Sequence, residues 1–367
     1  MSNAVAANRD LDTASQAKLT WLRFRRHRLA MFGLVLVGLM YFIAAFAEPI
    51  APSNPDKSNA RLVFHPPQAI HLFDGWSFAP HVLASKLARD PVTLQPTYVT
   101  DGNRKVALRF FAPGDPYKLW GWFDGSIHLI GPENPRDAVF LLGADRQGRD
   151  VLSRLIHGAR ASLSIGLVGV SISLLLGITI GGISGFFGGR VDWGVQRVIE
   201  FIISLPTIPI WLALASVLPK DWPPTAIYFT ITLIISLVGW TELARVVRGR
   251  FLALRGDSFV TAAWLDGCSQ GRIIFRHMLP SLTSHIIAAV TLAIPYMILA
   301  ETALSFLGLG LKPPAISWGA LLREAQNVQS IAVAPWLLLP GAAVALTVLA
   351  LNFLGDGLRD AADPYAH

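Results

Sequence analysis

The stretch FVTAAWLDGCSQGRIIFRHMLP, residues 259–280, decides how this chain is interpreted. It holds three Arg or His side chains and two glycines, and the segments on both sides of it are almost wholly apolar. A segment with this many charges is too polar to span a membrane. Its central Gly267 and terminal Pro280 predict two short helices joined by a glycine turn, the second of which ends before the proline.

The flanking segments belong to a chain that is too apolar for an ordinary soluble domain. Of its 367 residues, 53% are hydrophobic and 15% are charged. A membrane-spanning helix needs about 20 mostly apolar residues, and this criterion predicts an all-α polytopic membrane protein with about six transmembrane helices. The candidate spans are residues 29–47, 161–187, 198–218, 226–246, 286–304 and 331–354.

Lys and Arg accumulate in the short cytoplasmic loops of membrane proteins. In a six-span chain with a cytoplasmic N-terminus, the inside segments hold about fifteen of them, whereas the short outside loops hold only Lys220, Lys312 and Arg323. Both termini and residues 259–280 are therefore predicted to be cytoplasmic. The net charge of +7 is explained by this bias and by contact with anionic membrane lipid, and no nucleic-acid partner is predicted. The predicted division is a cytoplasmic N-terminal segment 1–28, a first helix 29–47, an extracytoplasmic insert 48–157, a membrane core 158–358 with five transmembrane helices and a cytoplasmic loop 247–283, and a cytoplasmic tail 359–367.

The first span raises a question of processing. The basic run RFRRHR, an apolar run and the small residues of AAFAEP together have the outline of a signal peptide. The apolar run is longer than the core of a typical signal peptide, so we interpret it as an uncleaved span. Cys268 is the single cysteine of the chain, and no internal disulfide is predicted.

The insert at 48–157 is rich in Pro, Asp, Lys, Arg and aromatic residues. Short apolar patches alternate with Pro and Gly turns, which predicts a small domain with some β structure. It either docks a partner at the outer face or caps the membrane domain, and the sequence favours neither. Its histidines are scattered and predict no metal site; they are His65, His71, His81 and His128.

Several residues within the spans carry structural expectations. Pro206 and Pro209 are expected to bend or break the third span, and Pro295 the fifth. Four glycines of the second span lie at near-helical spacing and allow helix backbones to approach, either for static packing or for adjustable contacts. They are Gly177, Gly181, Gly182 and Gly185.

Acidic residues near the ends of the spans are expected to line a cavity or to pair with Arg, because an unpaired charge in lipid is costly, and structural pairing is favoured over substrate contact. Glu242 and Arg245, three positions apart on one helix, are expected to pair locally. The other acidic residues in this group are Glu200, Glu301 and Asp356.

The 259–280 stretch has the composition of a surface element that binds something. Small residues permit close helix contact, bulky apolar residues offer anchors, and arginines supply charge. On these residues alone, a helix that fits a groove on another protein and an amphipathic helix on lipid headgroups are equally compatible. The residues concerned are Phe259, Ala262, Ala263, Trp264, Arg272, Ile273, Ile274 and Arg276.

The same stretch resembles the EAA signature of ABC-importer permeases, in which two alanines, a spaced glycine and a distal Leu-Pro mark the loop that docks on a cytoplasmic ATPase. Thr261 stands at the position that is acidic in that signature. The resemblance implies ATPase coupling through Ala262, Ala263, Gly267, Arg272, Arg276, His277, Leu279 and Pro280.

Two further stretches resemble permeases of the dipeptide, oligopeptide and nickel family. They are LLGADRQGRDVLSRLIHGARASLSIG from Leu141 and AETALSFLGLGLKPPAISWGALL from Ala300. The closing GDGLRDAADP is also similar to that family, and the long insert resembles its larger C-type subunits. With the docking loop, the resemblance covers the chain from Leu141 to its end.

This resemblance implies the type I ABC-importer permease fold, with the insert between helices 1 and 2, in a bacterial cytoplasmic (inner) membrane. The implied partners are a second permease subunit in a heterodimer, one or two cytoplasmic ATPases and an extracytoplasmic solute-binding protein. The sequence contains no G-x-x-x-x-G-K-[ST] phosphate loop, so no cofactor and no catalytic residue are predicted in this chain. ATP and Mg are expected on the partner ATPases, whose closure would drive alternating access.

Peptides are the expected substrate, with nickel chelates, glutathione, opines or oligosaccharides as alternatives within the same importer class. An ion-coupled secondary transporter is a rival class, but it would use intramembrane charges and inverted repeats, and neither is clear in the sequence. A membrane-anchored enzyme or sensor is a second rival, and the insert offers no nucleophile with a base at readable spacing. The residues that bind substrate are left unassigned.

Overall fold

The computed structural model describes residues 16–89, 96–219 and 221–362. Residues 1–15 of the predicted N-terminal segment, residues 90–95 of the predicted insert, residues 363–367 of the predicted tail, and Lys220 lie outside the described residues. The first helices are α1 (Gln16–Arg26), α2 (Arg28–Ala45) and α3 (Ala47–Ile50), followed by strands β1 (Ile70–Asp74), β2 (Ser77–Arg89), β3 (Pro96–Leu119) and β4 (Phe123–Pro132). The later helices are α4 (Val151–Phe187), α5 (Gly189–Ser204), α6 (Thr207–Ser216), α7 (Pro224–Leu254), α8 (Ser258–Leu265), α9 (Gln270–Arg272), α10 (Leu279–Ser281), α11 (Thr283–Phe306), α12 (Trp318–Leu322), α13 (Val328–Val333) and α14 (Leu339–Ala362).

In the described part of the chain, five helices are long and apolar enough to cross a membrane, and a bent pair raises the number to six if it is one span. The five lie within α2, α4, α7, α11 and the segment that ends in α14, and the bent pair is α5 with α6. This agrees with a polytopic membrane protein of about six spans.

The third span is broken at Pro206, as the sequence predicts. Helices α5 and α6 meet at 85°. Leu205 ends α5 in an extended conformation, which is the conformation that a residue before proline prefers. Pro295, in contrast, lies inside the continuous helix α11, so of the predicted bend or break the break does not occur there.

The last span begins later than predicted. Its expected start near residue 331 lies in the separate short helix α13, and a 3₁₀ turn, Pro335–Leu338, leads into α14. Pro335 separates these elements because proline has no N–H for the ladder and disfavours a helical conformation in the residue before it.

Helix α4 is the centre of the bundle, since it packs against α2, α7, α11 and α12. At Gly181 an added Cβ would lie 2.4 Å from the carbonyl oxygen of Ala244, and at Gly185 it would lie 2.7 Å from that of Arg248. These distances leave no room for a side chain. The predicted close approach of helix backbones through these glycines is therefore confirmed for α4 and α7.

Glu301 lies at a polar junction inside the bundle and is fully buried. Its carboxylate accepts hydrogen bonds from Ser162 Oγ on α4 at 3.1 Å and from Ser305 and Ser317 Oγ at 2.7 Å each. Glu301 is thus structurally paired, as expected, and its partners are hydroxyl groups. These three donors stabilise the buried carboxyl group and join α4, α11 and the chain before α12.

The other acidic residues lie nearer the helix ends. Glu200 pairs with Arg197 at 2.7 Å, and Glu242 pairs with Arg245 at 3.4 Å, as predicted for the second pair. Asp356 lies beside Arg359 in a cleft near the end of α14.

A second polar junction precedes α4, within the stretch that begins at Leu141. Arg149 binds Asp145 at 2.6 Å and Glu324 at 3.1 Å, so the start of α4 is tied to the chain after α12. Asp150 caps α4 by accepting the Ser153 amide at 2.8 Å. Burial raises the pKa of Asp150 to about 6. The stretch that begins at Leu141 therefore forms a structural junction.

The β structure predicted between the first two spans is present as a four-stranded antiparallel sheet of order β1-β2-β3-β4. The long strand β3 pairs with β2 along its first half and with β4 along its second half. A small core formed by Val82, Val106, Leu108 and Val139 lies beneath it. Of the four scattered histidines, His65, His81 and His128 are buried, and each bonds a backbone carbonyl through Nδ1.

Candidate functional site

The connection between α7 and α11, hereafter the 258–282 connection, contains the predicted coupling residues. Helix α8 forms its first half and ends at Leu265, and Gly267, two residues further on, has φ +73°. The Gly267 amide donates to Trp264 O at 3.0 Å, and the Cys268 amide donates to Ala263 O at 3.1 Å. These two bonds define a Schellman turn, which requires a residue in the left-handed region at the glycine position. The predicted glycine turn between two helices is present.

The second half is one continuous helical segment built from α9, a π-helical turn (Ile273–Met278) and α10. The prediction that it ends before Pro280 is wrong. In the π turn the Leu279 amide bonds back to Ile274 O, five residues earlier. Pro280 then falls in the first turn of α10, where a missing N–H is tolerated, and the helical path continues.

The inner side of the connection belongs to the protein's own core. Val260, Ala263, Ile273 and Met278 are buried together with residues from the ends of the neighbouring spans. Those residues are Phe186 of α4 and Val247 and Phe251 of α7. The suggestion from the sequence that Ile273 anchors a partner is therefore wrong, because its side chain is fully buried.

Four large apolar side chains of the connection remain exposed, and they are called the exposed apolar set: Phe259, Trp264, Leu265 and Phe275. Leu265 is 84% exposed. Trp264 stacks on Phe186 of α4 with the ring planes 7° apart, so one of its faces is held while the side chain stays 46% exposed. Exposed apolar side chains on an element whose other side is packed in the core are typical of a docking surface.

The predicted coupling residues divide between the two sides. Ala262, Arg272, Arg276 and Pro280 are exposed, whereas Ala263 is buried. His277 and Leu279 are half-buried, and Gly267 forms the turn. Leu265 and Phe275 were not among the residues predicted from the sequence. For Leu265 a signal was present, because it follows Trp264 in the helical stretch TAAWLDG.

A charged clasp lies beside the connection and was also missed. Asp192 of α5 binds Arg248 of α7 through two hydrogen bonds, one of which is 2.5 Å long, and it accepts Ser184 Oγ of α4 at 2.5 Å. It joins the ends of three helices next to the buried core of the connection. No local pattern indicates it, since Arg248 lies 56 positions beyond its partner.

Between the spans lies a cavity of about 510 Å³, formed by α4, α6, α7 and α11 with the end of α5. Its walls are mainly apolar. Its polar side chains are Ser173, Thr207, Thr241, Glu242 and Tyr296. Among the described residues, no group of three or more His, Cys, Asp or Glu could hold a metal ion.

A family model for the inner membrane component of binding-protein-dependent transport systems matches residues 177–366, which is more than half of the chain. The chain belongs to this permease family. A second model, for the N-terminal transmembrane domain of oligopeptide transport permease C, matches residues 15–67. The 258–282 connection and the Asp192–Arg248 clasp both lie within the first match, and α1 and α2 lie within the second.

One relative of the permease aligns along almost its whole length. It is 32% identical to a di/tripeptide transport system permease protein DppC of Pseudomonas aeruginosa, over 99% of this chain and 97% of that protein. It is 34% identical to an oligopeptide transport system permease protein OppC of Bacillus subtilis, over 71% of this chain and 81% of that protein. A solved MetNI methionine ABC transporter in inward-facing conformations aligns with a TM-score of 0.45 at 16% identity, over 57% of this chain and 96% of that one.

Proposed function

We propose that this chain is a permease subunit of an ATP-driven, binding-protein-dependent importer of peptides. The observation that carries the proposal is the end-to-end similarity to a protein named as a di/tripeptide permease. The relative from Bacillus is named for oligopeptides, so peptide substrates are favoured over nickel chelates, opines or oligosaccharides. The channel half contributed by this chain would be the 510 Å³ cavity between its spans.

In this proposal the 258–282 connection docks on a cytoplasmic ATPase. The exposed apolar set would enter a groove on that partner, and the positive charges of Arg272 and Arg276 would flank it. The buried side of the same connection is packed on the ends of α4 and α7. A displacement of the connection would therefore move both helices, which is the coupling that alternating access requires.

The remaining partners follow from the same importer class. A second permease subunit would complete the channel as a heterodimer, and a solute-binding protein would deliver substrate at the outer face. ATP and Mg would be bound by one or two ATPase subunits, so this chain would hydrolyse no ATP by itself. The permease would lie in the inner membrane with both termini cytoplasmic and the β sheet outside.

The proposed topology can be tested with the single native thiol, Cys268. In intact cells a membrane-impermeant maleimide should leave Cys268 unlabelled, while a cysteine at Asp101→Cys in the sheet should react. Both should react after the cells are opened. The reverse pattern in intact cells would overturn the orientation.

Docking is tested by a matched pair of exposed residues. Leu265→Arg places a charge in the exposed apolar set, and Val328→Arg does the same at a side chain that is similarly exposed, at 79%. Leu265→Arg should remove the ATPase from affinity-purified permease and abolish uptake of labelled dipeptide into reconstituted vesicles. Val328→Arg should retain the ATPase. Equal ATPase recovery in both variants would contradict docking through this connection.

The substrate class is tested separately. The solute-binding protein encoded with this permease should be purified without added ligand and its bound compounds identified by mass spectrometry. Peptides are the expected result, and recovery of a metal chelate or an oligosaccharide would replace the peptide assignment while leaving the importer class intact.

A further inference from the structure

An unbroken row of aromatic rings runs from the first span into the β sheet. Phe42 of α2 lies 4.9 Å from Phe46, measured between ring centroids, and Phe46 lies 5.5 Å from Trp120. Trp120 lies 6.5 Å from Phe123, so the row ends at the tip of the β3–β4 hairpin. Phe42 is exposed on the membrane-spanning helix, and the hairpin tip therefore continues a surface that begins within the membrane.

Two contacts fix the depth of this tip relative to the hydrocarbon. Trp120 Nε1 donates to the carbonyl oxygen of Ala45, the last residue of α2, at 2.7 Å. Arg160 Nε donates to Ala44 O at 2.9 Å, and its guanidinium binds both carboxylate oxygens of Glu48 at 2.6 Å. Charged groups are costly in hydrocarbon, so this ion pair favours a position at the edge of the membrane, where the apolar helix α2 ends at Ala45. The hairpin tip thus lies at the level where the first span leaves the hydrocarbon.

The side chains at the tip are of the type that is enriched at the headgroup level of a membrane. Trp122 is 84% exposed, and Trp120 and Phe123 are more than half exposed. Gly121, with φ +80°, turns the chain between the two tryptophans. Trp is enriched at the headgroup level because its ring is apolar and its N–H is polar. In an aqueous loop, three neighbouring aromatic side chains would be a costly exposed patch.

We propose that the β3–β4 hairpin tip inserts into the headgroup region of the outer leaflet and anchors the sheet to phospholipid beside the first span. The choice of leaflet rests on the proposed topology of the importer. The anchor would hold the sheet at a fixed height above the bundle, through Trp122 and Phe123 in the lipid and Trp120 against the end of α2.

The test uses the whole importer complex in vesicles of phosphatidylethanolamine and phosphatidylglycerol. In a Cys268→Ala background, Asp124→Cys next to the tip carries an environment-sensitive fluorophore, and Val99→Cys near the other end of β3 carries the same probe as control. A phospholipid with a nitroxide near its headgroup should quench the Asp124→Cys probe at least about twofold more strongly than the Val99→Cys probe. Both parent side chains are exposed, so labelling leaves the core intact.

The aromatic side chains should be responsible for that quenching. Trp122→Ser with Phe123→Ser should lower it to the level of the Val99→Cys probe. Trp76→Ser, which removes a fully exposed tryptophan at the tip of the β1–β2 hairpin, should leave it unchanged. Complex recovery on purification checks that each variant folds.

Three results would overturn the anchor. They are equal quenching at both probe positions, quenching that survives the double substitution, and a spectral shift that appears only when the solute-binding protein is added to the complex. The proposed topology is read out separately, because an impermeant maleimide should reach Val99→Cys, away from the tip, from outside intact cells. Lipid quenching without outside labelling would refute the orientation and retain the anchor.

Discussion

Replacing Gly267 tests whether the Schellman turn sets the geometry of the docking connection. The glycine has φ +73°, and an added Cβ would meet nothing within 4 Å. The cost of a side chain is therefore backbone strain alone, of about 1–2 kcal/mol for an ordinary residue and toward about 3 kcal/mol for a β-branched one. Asn tolerates the left-handed region, so Gly267→Asn should cost less than Gly267→Val.

A strain of about 2 kcal/mol raises the population of an alternative turn by roughly thirtyfold. Gly267→Val should accordingly speed hydrogen exchange at the Gly267 position and at Cys268, the two amides that close the turn, and should weaken ATPase binding and transport in step. Gly271→Ala is the matched control, because Gly271 lies in helix α9 and also has open space around it. That variant should bind the ATPase normally.

The expected order of ATPase affinity is wild type, Gly267→Asn, then Gly267→Val, measured by titrating the purified ATPase onto permease in vesicles. Membrane insertion and contact with the solute-binding protein should be unchanged in all three. If Gly267→Val bound the ATPase with wild-type affinity while its turn amides exchanged faster, the turn would not control docking. If exchange were also unchanged, the strain argument itself would be wrong.

Three further outcomes are expected. Gly181→Val would drive a side chain into the carbonyl of Ala244, so it should cost about 1–3 kcal/mol and lower the thermal midpoint and uptake, whereas Gly249→Ala, with open space around it, should lower neither. Glu301→Ala should destabilise the bundle by about 1–3 kcal/mol because buried hydroxyls lose their acceptor, and the isosteric Glu301→Gln should lose less stability. Thermal unfolding in detergent measures both variants, and an unchanged midpoint for Glu301→Ala would contradict the role of the junction. Burial raises the pKa of Asp150 from 3.8 to about 6, so the folded state binds its proton more tightly than the unfolded state, and stability from this group is fully present below pH about 4 and is lost as pH rises through about 6. The thermal midpoint of wild type relative to Asp150→Asn should therefore fall between pH 5 and pH 7.5, and a constant difference would exclude this linkage.

The sequence was sufficient for features that depend on neighbouring residues. Apolar runs of the required length indicated the spans, Pro206 indicated the break of the third one, and Gly267 indicated the turn in the connection. In each case the signal is local, because helix length, a missing N–H and a left-handed conformation are properties of a few consecutive residues.

Features that depend on distant partners could not be predicted. Ile273 sits in a short helical stretch with a π turn, where the period of 3.6 residues no longer tells the inner side from the outer side. Glu301 finds a hydroxyl donor 139 positions away in Ser162, so its partner could not be named from the sequence. The clasp of Asp192 with Arg248 likewise exists only after the spans have packed.

The polar junction at Glu301 also bears on the order in which the spans enter the membrane during synthesis. Helix α4 with Ser162 is made before α11, and Ser317 follows Glu301 by only 16 positions. A carboxyl group that enters lipid without a hydrogen-bond partner is costly. Ser162 is inserted before Glu301, Ser305 enters on the same helix, and Ser317 is synthesised shortly afterwards. Synthesis from the N-terminus to the C-terminus thus supplies the partners of Glu301 one after another. A permuted chain that placed α11 ahead of α4 would insert Glu301 before Ser162 is present.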